Sequence, residues 1–234
     1  MQEIWNLRNA HLFKGLSPAQ MDDVVKSMPV RSFRKNEYIF MAGDDADALY
    51  VVQVGTVKVA YVDLNGEEKI LDIFQAGDIF GYLFLGKYRQ RIGNAQALGD
   101  VVLCRLTEVD FINLIQRFPQ IALNFIRQQA DEYRETVARM HALMSMDARH
   151  RLLGTLLTLA RRYCCDDGEE WFALPETLTQ EDMAKMTGLN RSTVSLLINE
   201  LRRENVLGGA GRELLVNKTR VEAIMTAKGS EILE

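Results

Sequence analysis

Met21, Val24, Val25 and Met28 recur at helical spacing behind Ser17-Pro18, which predicts a short helix over about Leu16 to Met28 with Ser17 as its N-cap. From Tyr38 the period changes. Leu49, Val51 and Gln53 alternate with Tyr50, Val52 and Val54, and Val57, Val59 and Tyr61 with Lys58, Ala60 and Val62. Such runs, rich in β-branched residues, read as strands. Glycines punctuate them at Gly43, Gly55, Gly66, Gly77 and Gly81. Asn65-Gly66 is a hairpin signal in which both turn residues must tolerate positive φ. Short strands with a glycine at each corner predict an antiparallel barrel or roll, with Val101–Leu106 as its last strand.

After Thr107 the pattern is helical, with a break at Phe118-Pro119 and then a long helix to about Met146. Ala122, Ile126, Gln129, Tyr133, Thr136, Met140 and Leu143 follow one another at steps of four and three. That heptad seam keeps one stripe facing a partner helix. It packs either on the chain's own barrel or on a second copy, and the polar Gln129 and Thr136 favour the second copy. A further helical segment begins at Asp147, without a Gly/Ser linker before it, and ends in Arg161-Arg162-Tyr163.

Composition adds constraints. The 234 residues are 47% hydrophobic and 26% charged, which suits a soluble globular protein of one large domain or two modest ones. A net charge of −4 excludes a uniformly basic nucleic-acid binder but not a locally basic one. Three cysteines (Cys104, Cys164, Cys165) form no disulfide framework and fit a reducing compartment. With no signal peptide or membrane span in view, the expectation is a cytoplasmic protein without membrane contact.

The most informative stretch runs from Thr179 to Leu201. Thr179 can cap a helix with Glu181 and Asp182 in its first turn, Gly188 suits a tight turn, and Asn190 can cap a second helix. Val194, Leu197, Ile198 and Leu201 form that helix's inner face. Val206-Leu207 and Leu214–Val216 flank a glycine-rich turn and predict a β-hairpin wing. Between Asn190 and Arg220 six basic residues (Arg191, Arg202, Arg203, Arg212, Lys218, Arg220) face three acidic ones (Glu200, Glu204, Glu213), a local balance of +3. Helix, turn, helix and wing with that charge point to DNA. Arg191, Ser192, Ser195 and Asn199 fall on the outward face of the second helix, flanked by Thr193, with Thr179 and Gln180 at the start of the first. Arg191 can pair bidentately with guanine O6 and N7, worth about 1–3 kcal/mol of discrimination. Leu196 either packs on a thymine methyl or covers the wing, and Arg212 on the wing is placed for phosphate.

These motifs, in this order, resemble the cAMP receptor protein/FNR (Crp/Fnr) family of bacterial transcription regulators. The resemblance runs from about Leu12 to Ile224, through Leu49–Val59, Gly66-Glu67-Glu68, Ala76–Gly81, Leu178–Ala184, Arg191–Ser195 and Leu201–Leu207. It implies an α+β protein: an N-terminal cyclic-nucleotide-binding-type antiparallel β-roll (1–118), a long dimerisation helix (119–146) and a C-terminal winged helix-turn-helix (147–234). It also implies a homodimer on a two-fold DNA operator with half-sites ~34 Å apart, a small effector held between roll and helix, and RNA polymerase as a partner.

The chain departs from the family pattern at the effector site. Members that bind cAMP carry Phe-Gly-Glu and, further on, an Arg before a small residue and Ala. Here Phe80-Gly81 is followed by Tyr82, and the later segment reads Tyr88-Arg89-Gln90-Arg91-Ile92-Gly93. The effector candidates are Phe80, Gly81, Tyr82, Leu83, Arg89 and Arg91, with Tyr133, Thr136 and Val137 on the helix. A cyclic nucleotide stays open, but a different anionic or aromatic metabolite is favoured, because a ribose hydroxyl without its carboxylate is poorly satisfied. Oxygen-sensing members hold an iron–sulfur cluster on four cysteines, an arrangement that three cysteines with none before Cys104 exclude. Haem is disfavoured, since His11, His141 and His150 have no ligand spacing. A redox role for Cys164-Cys165 is disfavoured by Asp166 and Asp167 beside them. No metal site is expected. Ser192 and Leu196 replace a family Glu and Arg on the recognition helix, so the operator differs from that of the cAMP receptor. No catalytic constellation is present, and the expectation is a non-enzymatic regulator. The competing expectations are a nucleotide-sensing module acting through protein contacts, and a haem- or redox-sensing member of the same family.

Overall fold

A computed structural model of the chain describes residues 10–26, 28–163, 170–210 and 213–227. It divides into two compact units, Met1–Asp131 and Glu132–Glu234.

The first unit is built around two four-stranded antiparallel sheets. One has the order β1-β8-β3-β6 and comprises β1 (Val30–Phe33), β8 (Val101–Thr107), β3 (Ala48–Val54) and β6 (Ile79–Phe80). The other has the order β2-β7-β4-β5, from β2 (Tyr38–Phe40), β7 (Asn94–Ala97), β4 (Thr56–Val62) and β5 (Glu68–Gln75). Strand β3 explains the layering. Successive side chains leave a strand on opposite faces, and both faces of β3 are covered. Tyr50 and Val52 point into the roll with Val57, Phe74, Phe80, Ala95 and Leu103. Leu49 and Val51 face an outer layer shared with Leu12, Met21, Val24, Phe111, Leu114 and Ile121. That layer is supplied by helices α1 (Pro18–Lys26), α2 (Glu108–Arg117) and the base of α3 (Pro119–Ser145). The expected cap of α1 is present: Gln20 N–H donates to Ser17 Oγ at 3.3 Å and Ser17 N–H to Gln20 Oε1 at 2.8 Å.

The β4–β5 hairpin forms where Asn65-Gly66 placed it, but by different chemistry. Gly66 alone takes positive φ (81°). Gly66 N–H closes a turn on Asp63 O at 3.0 Å, and Asp63 Oδ1 accepts from Asn65 N–H and Glu67 N–H. A four-residue turn organised by an aspartate needs one left-handed residue, where a two-residue type I′ turn needs two. At the β3–β4 corner Gly55 has φ 90°, and a Cβ there would meet Asp100 O at 2.4 Å; no other residue fits.

Helix α3 runs unbroken for 27 residues and so contributes to both units. It does not continue into α4 (Ala148–Tyr163), because the chain breaks at Met146–Asp147 and Asp147 Oδ1 accepts from His150 N–H at 3.0 Å. An Asp cap therefore opens a separate helix where the sequence begins a further helical segment. The second unit then holds α5 (Gln180–Thr187), α6 (Arg191–Arg203), α7 (Lys218–Ala227) and a sheet of order β10-β11-β9. Strands β10 (Leu207–Gly208) and β11 (Leu215–Asn217) are the expected wing, and β9 (Trp171–Ala173) pairs with β11 as an added strand. Among the described residues, no helix is long and apolar enough to cross a membrane.

Candidate nucleic-acid interface and effector site

The α5–α6 pair is fixed by three local devices. Thr179 and Asp182 make a capping box: Asp182 N–H donates to Thr179 Oγ1 at 3.1 Å, and Thr179 N–H to Asp182 Oδ2 at 2.9 Å. Gly188 closes α5 in the left-handed region (φ 65°), its N–H returning to Ala184 O. Asn190 Oδ1 caps α6, accepting from Thr193 N–H at 2.8 Å and from the Ser192 hydroxyl at 2.7 Å.

Val194, Ile198 and Leu201 of α6 are fully buried, while Leu197, expected beside them, is only half-buried. Arg191, Ser192, Leu196 and Asn199 are exposed together along the opposite face, with Thr193 and Ser195 half-buried at its margins. Arg191 and Arg203 make no ion pair among the described residues, which leaves both charges available to a polyanion. Arg202 and Arg220 are instead anchored, donating to Glu213 O (3.3 Å) and Glu204 O (3.1 Å). The Glu204 carboxylate is held by Arg149, with 2.8 Å between Nη1 and Oε1, and that hydrogen bond lowers the Glu204 pKa below its ordinary value. The Thr179 hydroxyl is engaged in its cap and Gln180 is half-buried beside it. Arg212, Cys164 and Cys165 lie outside the described residues.

In the first unit the effector candidates separate into three environments. Phe80 is a core residue, 1% exposed and stacked between Tyr50 (5.3 Å) and Phe74 (5.2 Å). Tyr82 and Leu83 are half-buried against the outer layer, with Tyr82 edge-on to Phe125 of α3 at 5.5 Å. The two arginines part company. Arg89 is at the surface in a two-pronged ion pair with Glu108 (2.7 and 3.0 Å).

Arg91 is 3% exposed. Its Nη1 donates to Gly81 O and its Nη2 to Ala48 O at 2.8 Å, and the guanidinium lies 4.2 Å from the Phe40 ring centroid. The sequence pattern places it among the effector contacts. The structure instead commits both terminal nitrogens to the roll's own backbone. Arg91 also lines a cavity of about 380 Å³ with Arg31, Arg105, Asp47, Phe40 and Tyr50, where Arg105 Nη2 sits 2.5 Å from Asp47 Oδ2. Sequence reasoning missed this cluster, because its members come from four strands and the loops between them. The run Asp44-Asp45-Ala46-Asp47 was the one visible signal.

Tyr133, Thr136 and Val137 belong to the second unit. Tyr133 is exposed, the Thr136 hydroxyl donates back to Glu132 O at 2.8 Å, and Val137 is half-buried. Along the seam Ile126 (63%), Tyr133 (71%) and Met140 (57%) are exposed in the single chain, as are Thr136 and Leu143, while Ala122 and Gln129 are half-buried. Among the described residues, no group of three or more His, Cys, Asp or Glu is placed to hold a metal ion.

Comparison with known proteins converges on this architecture. Residues 30–118 match the cyclic nucleotide-binding domain and residues 150–222 the Crp-like helix-turn-helix domain. The cyclic AMP receptor protein of Thermus thermophilus is 29% identical over 201 residues, covering 86% of this chain and 89% of that protein. The anaerobic regulatory protein of Pasteurella multocida is 26% identical over 201 residues, covering 85% of this chain and 71% of its own length. The structure of FixK2 from Bradyrhizobium japonicum shares the fold, with a TM-score of 0.72 at 24% identity over 84% of this chain and 96% of that one.

Proposed function

Since the chain belongs to the Crp/Fnr family of DNA-binding transcription regulators, we propose that it is an effector-gated homodimer that binds a two-fold operator and acts on RNA polymerase. The observation that carries the DNA half is α6: a capped helix whose exposed face offers Arg191, Ser192, Leu196 and Asn199 while Val194, Ile198 and Leu201 anchor it from behind. A second copy supplies the other half-site. Exposed Ile126, Tyr133, Met140 and Leu143 along α3 support pairing through that helix, since an apolar stripe of this length is stabilised by burial against its twin. In this reading the chain is organised as 1–118 (effector roll), 119–146 (dimerisation helix) and 147–234 (DNA-binding winged helix).

The effector we propose is a small anionic or aromatic metabolite other than cAMP, and not an iron–sulfur cluster. Tyr82 stands where a ribose-binding carboxylate is needed, and Arg91 must release two backbone carbonyls before it can neutralise a cyclic phosphate. The relatives do not decide the matter, as one is named for cyclic AMP and another for anaerobic regulation. Tyr82, Leu83 and Arg89 on the roll and Tyr133, Thr136 and Val137 on the helix are the proposed contacts. Gating is a population shift: the effector must bind the DNA-competent dimer more tightly than the idle one.

The test has two arms. Genomic fragments captured by the purified protein should share a palindrome with half-sites ~34 Å apart. A thermal-shift screen of cyclic nucleotides, haem and metabolites should return a stabilising compound that also raises operator affinity. Stabilisation by cAMP with tightened DNA binding refutes the effector assignment, and capture without any shared sequence refutes the operator.

A further inference from the structure

One large apolar side chain stands exposed on the outward face of α6. Leu196 is 65% exposed. Its neighbours one turn away on the same face, Ser192, Asn199 and Glu200, are polar and exposed. No contact between Leu196 and the wing is needed to hold the described part of the hairpin. The described part of the wing is held from the far end of the helix, where Arg202 donates to Glu213 O and Leu201, Val206 and Leu207 are buried. Arg202 lies six residues beyond Leu196, about 9 Å along the axis. An isolated exposed leucine is ordinary on most surfaces. Here it occupies the middle of the face that a recognition helix presents to base edges.

We propose that Leu196 reads the 5-methyl group of a thymine in each half-site, an inference that rests on the DNA-binding reading of α6. Leucine has no donor or acceptor, so it gains nothing from the polar edges that guanine, adenine and cytosine present in the major groove. Thymine alone offers an apolar group there. Against the other bases Leu196 desolvates a ring nitrogen, an amino group or a carbonyl without replacing its hydrogen bonds, which adds a penalty to the lost contact. Polar neighbours sharpen this. Ser192 Oγ already donates to Asn190 Oδ1, so its hydroxyl proton is engaged in the cap and base-edge donors on this face fall to Arg191 and Asn199. Leu196 thus selects by methyl contact where its neighbours select by hydrogen bonding. The same contact accepts 5-methylcytosine, whose methyl occupies the same groove position.

The experiment selects operators from random duplex DNA with the full-length protein at low ionic strength. Each thymine of the enriched site is then replaced in turn by deoxyuridine, and affinity is read by fluorescence anisotropy. Loss of one buried methyl weakens binding about fourfold per half-site and about 15-fold when both half-sites are changed. One symmetric thymine pair should show that loss in the wild type. Leu196→Ala, at a largely exposed position, should keep the wild-type circular dichroism and bind the thymine and uracil operators within about twofold of each other. Replacing the thymine by 5-methylcytosine should retain more affinity than replacing it by cytosine.

Indifference of the wild type to every uracil replacement overturns the inference while leaving DNA binding intact. So does a uracil effect that survives in Leu196→Ala. Failure to enrich any sequence overturns the DNA-binding reading itself, and this inference with it.

Discussion

Replacing Arg91 by Met removes a buried brace while keeping an unbranched side chain of similar reach. Two carbonyls, Gly81 O and Ala48 O, then lose their charged donor inside the roll. Each orphaned buried acceptor costs about 1–3 kcal/mol. The cation–π contact with Phe40, at 4.2 Å from the centroid, adds up to about 2 kcal/mol in a desolvated setting. Working against this is relief of the guanidinium's own burial, the leading cause of its lowered pKa. Buried charges are often replaced at little net loss when both partners leave together. Here the carbonyls stay, so the loss dominates at about 2–4 kcal/mol.

Hydrogen exchange read peptide by peptide isolates the roll from the rest of the chain. The slowest amides of β3 and β6 should exchange about 30- to 900-fold faster in Arg91→Met, the equivalent of that free energy. Peptides of α6 should be unchanged. Acceleration of the roll amides by less than about threefold would show that Arg91 is not a brace and refute the inward assignment.

Two further outcomes follow from the packing. Ile126→Asp or Met140→Asp places a charge on the exposed seam of α3 and should convert the protein to monomers in sedimentation velocity, with weakened operator binding; dimers that survive both changes would place the interface elsewhere. Burial raises the Cys104 thiol from its ordinary value of 9.0 to about 11, partly offset by the Gln53 hydrogen bond. At pH 8 iodoacetamide should therefore label Cys104 far more slowly in the native protein than in urea, as read by peptide mass spectrometry. The unfolded thiol ionises first, so this group's stabilising contribution is complete below about pH 9 and fades as pH rises toward 11; equal labelling in both states would contradict the buried placement.

The parts of the fold that were legible are those written in local chemistry. Caps, the Gly188 turn and the buried stripe of α6 depend on residues three or four apart, and Thr179, Asp182, Gly188, Asn190, Val194 and Ile198 all stand where the pattern put them. Strand β3 was legible because both its faces are apolar, for which interleaved Leu49, Val51, Tyr50 and Val52 is the direct signature. What escaped was long-range. The Arg91 brace joins residues 43 positions apart, and no periodicity announces it. Strand β9 is three residues long, too short to show a period of two. Asn65-Gly66 allows a turn with both residues left-handed, but the Asp63 side chain selects another loop. Helical spacing puts Leu197 on the inner face, but its half-burial is set by the neighbouring elements and not by α6 itself.

On this reading a chain whose net charge is −4 binds DNA specifically through α6. With no global attraction to a polyanion, affinity must come from a local basic face presented twice. Fluorescence anisotropy of the selected operator over a range of salt concentrations measures this directly. Two protomers should bind per operator, with a steep linear fall of log affinity with log salt. Affinity should fall about 10-fold or more when Arg191→Ala removes the guanine contact from each half-site. A flat salt response, or an Arg191→Ala protein that binds the operator as well as wild type, would contradict this reading.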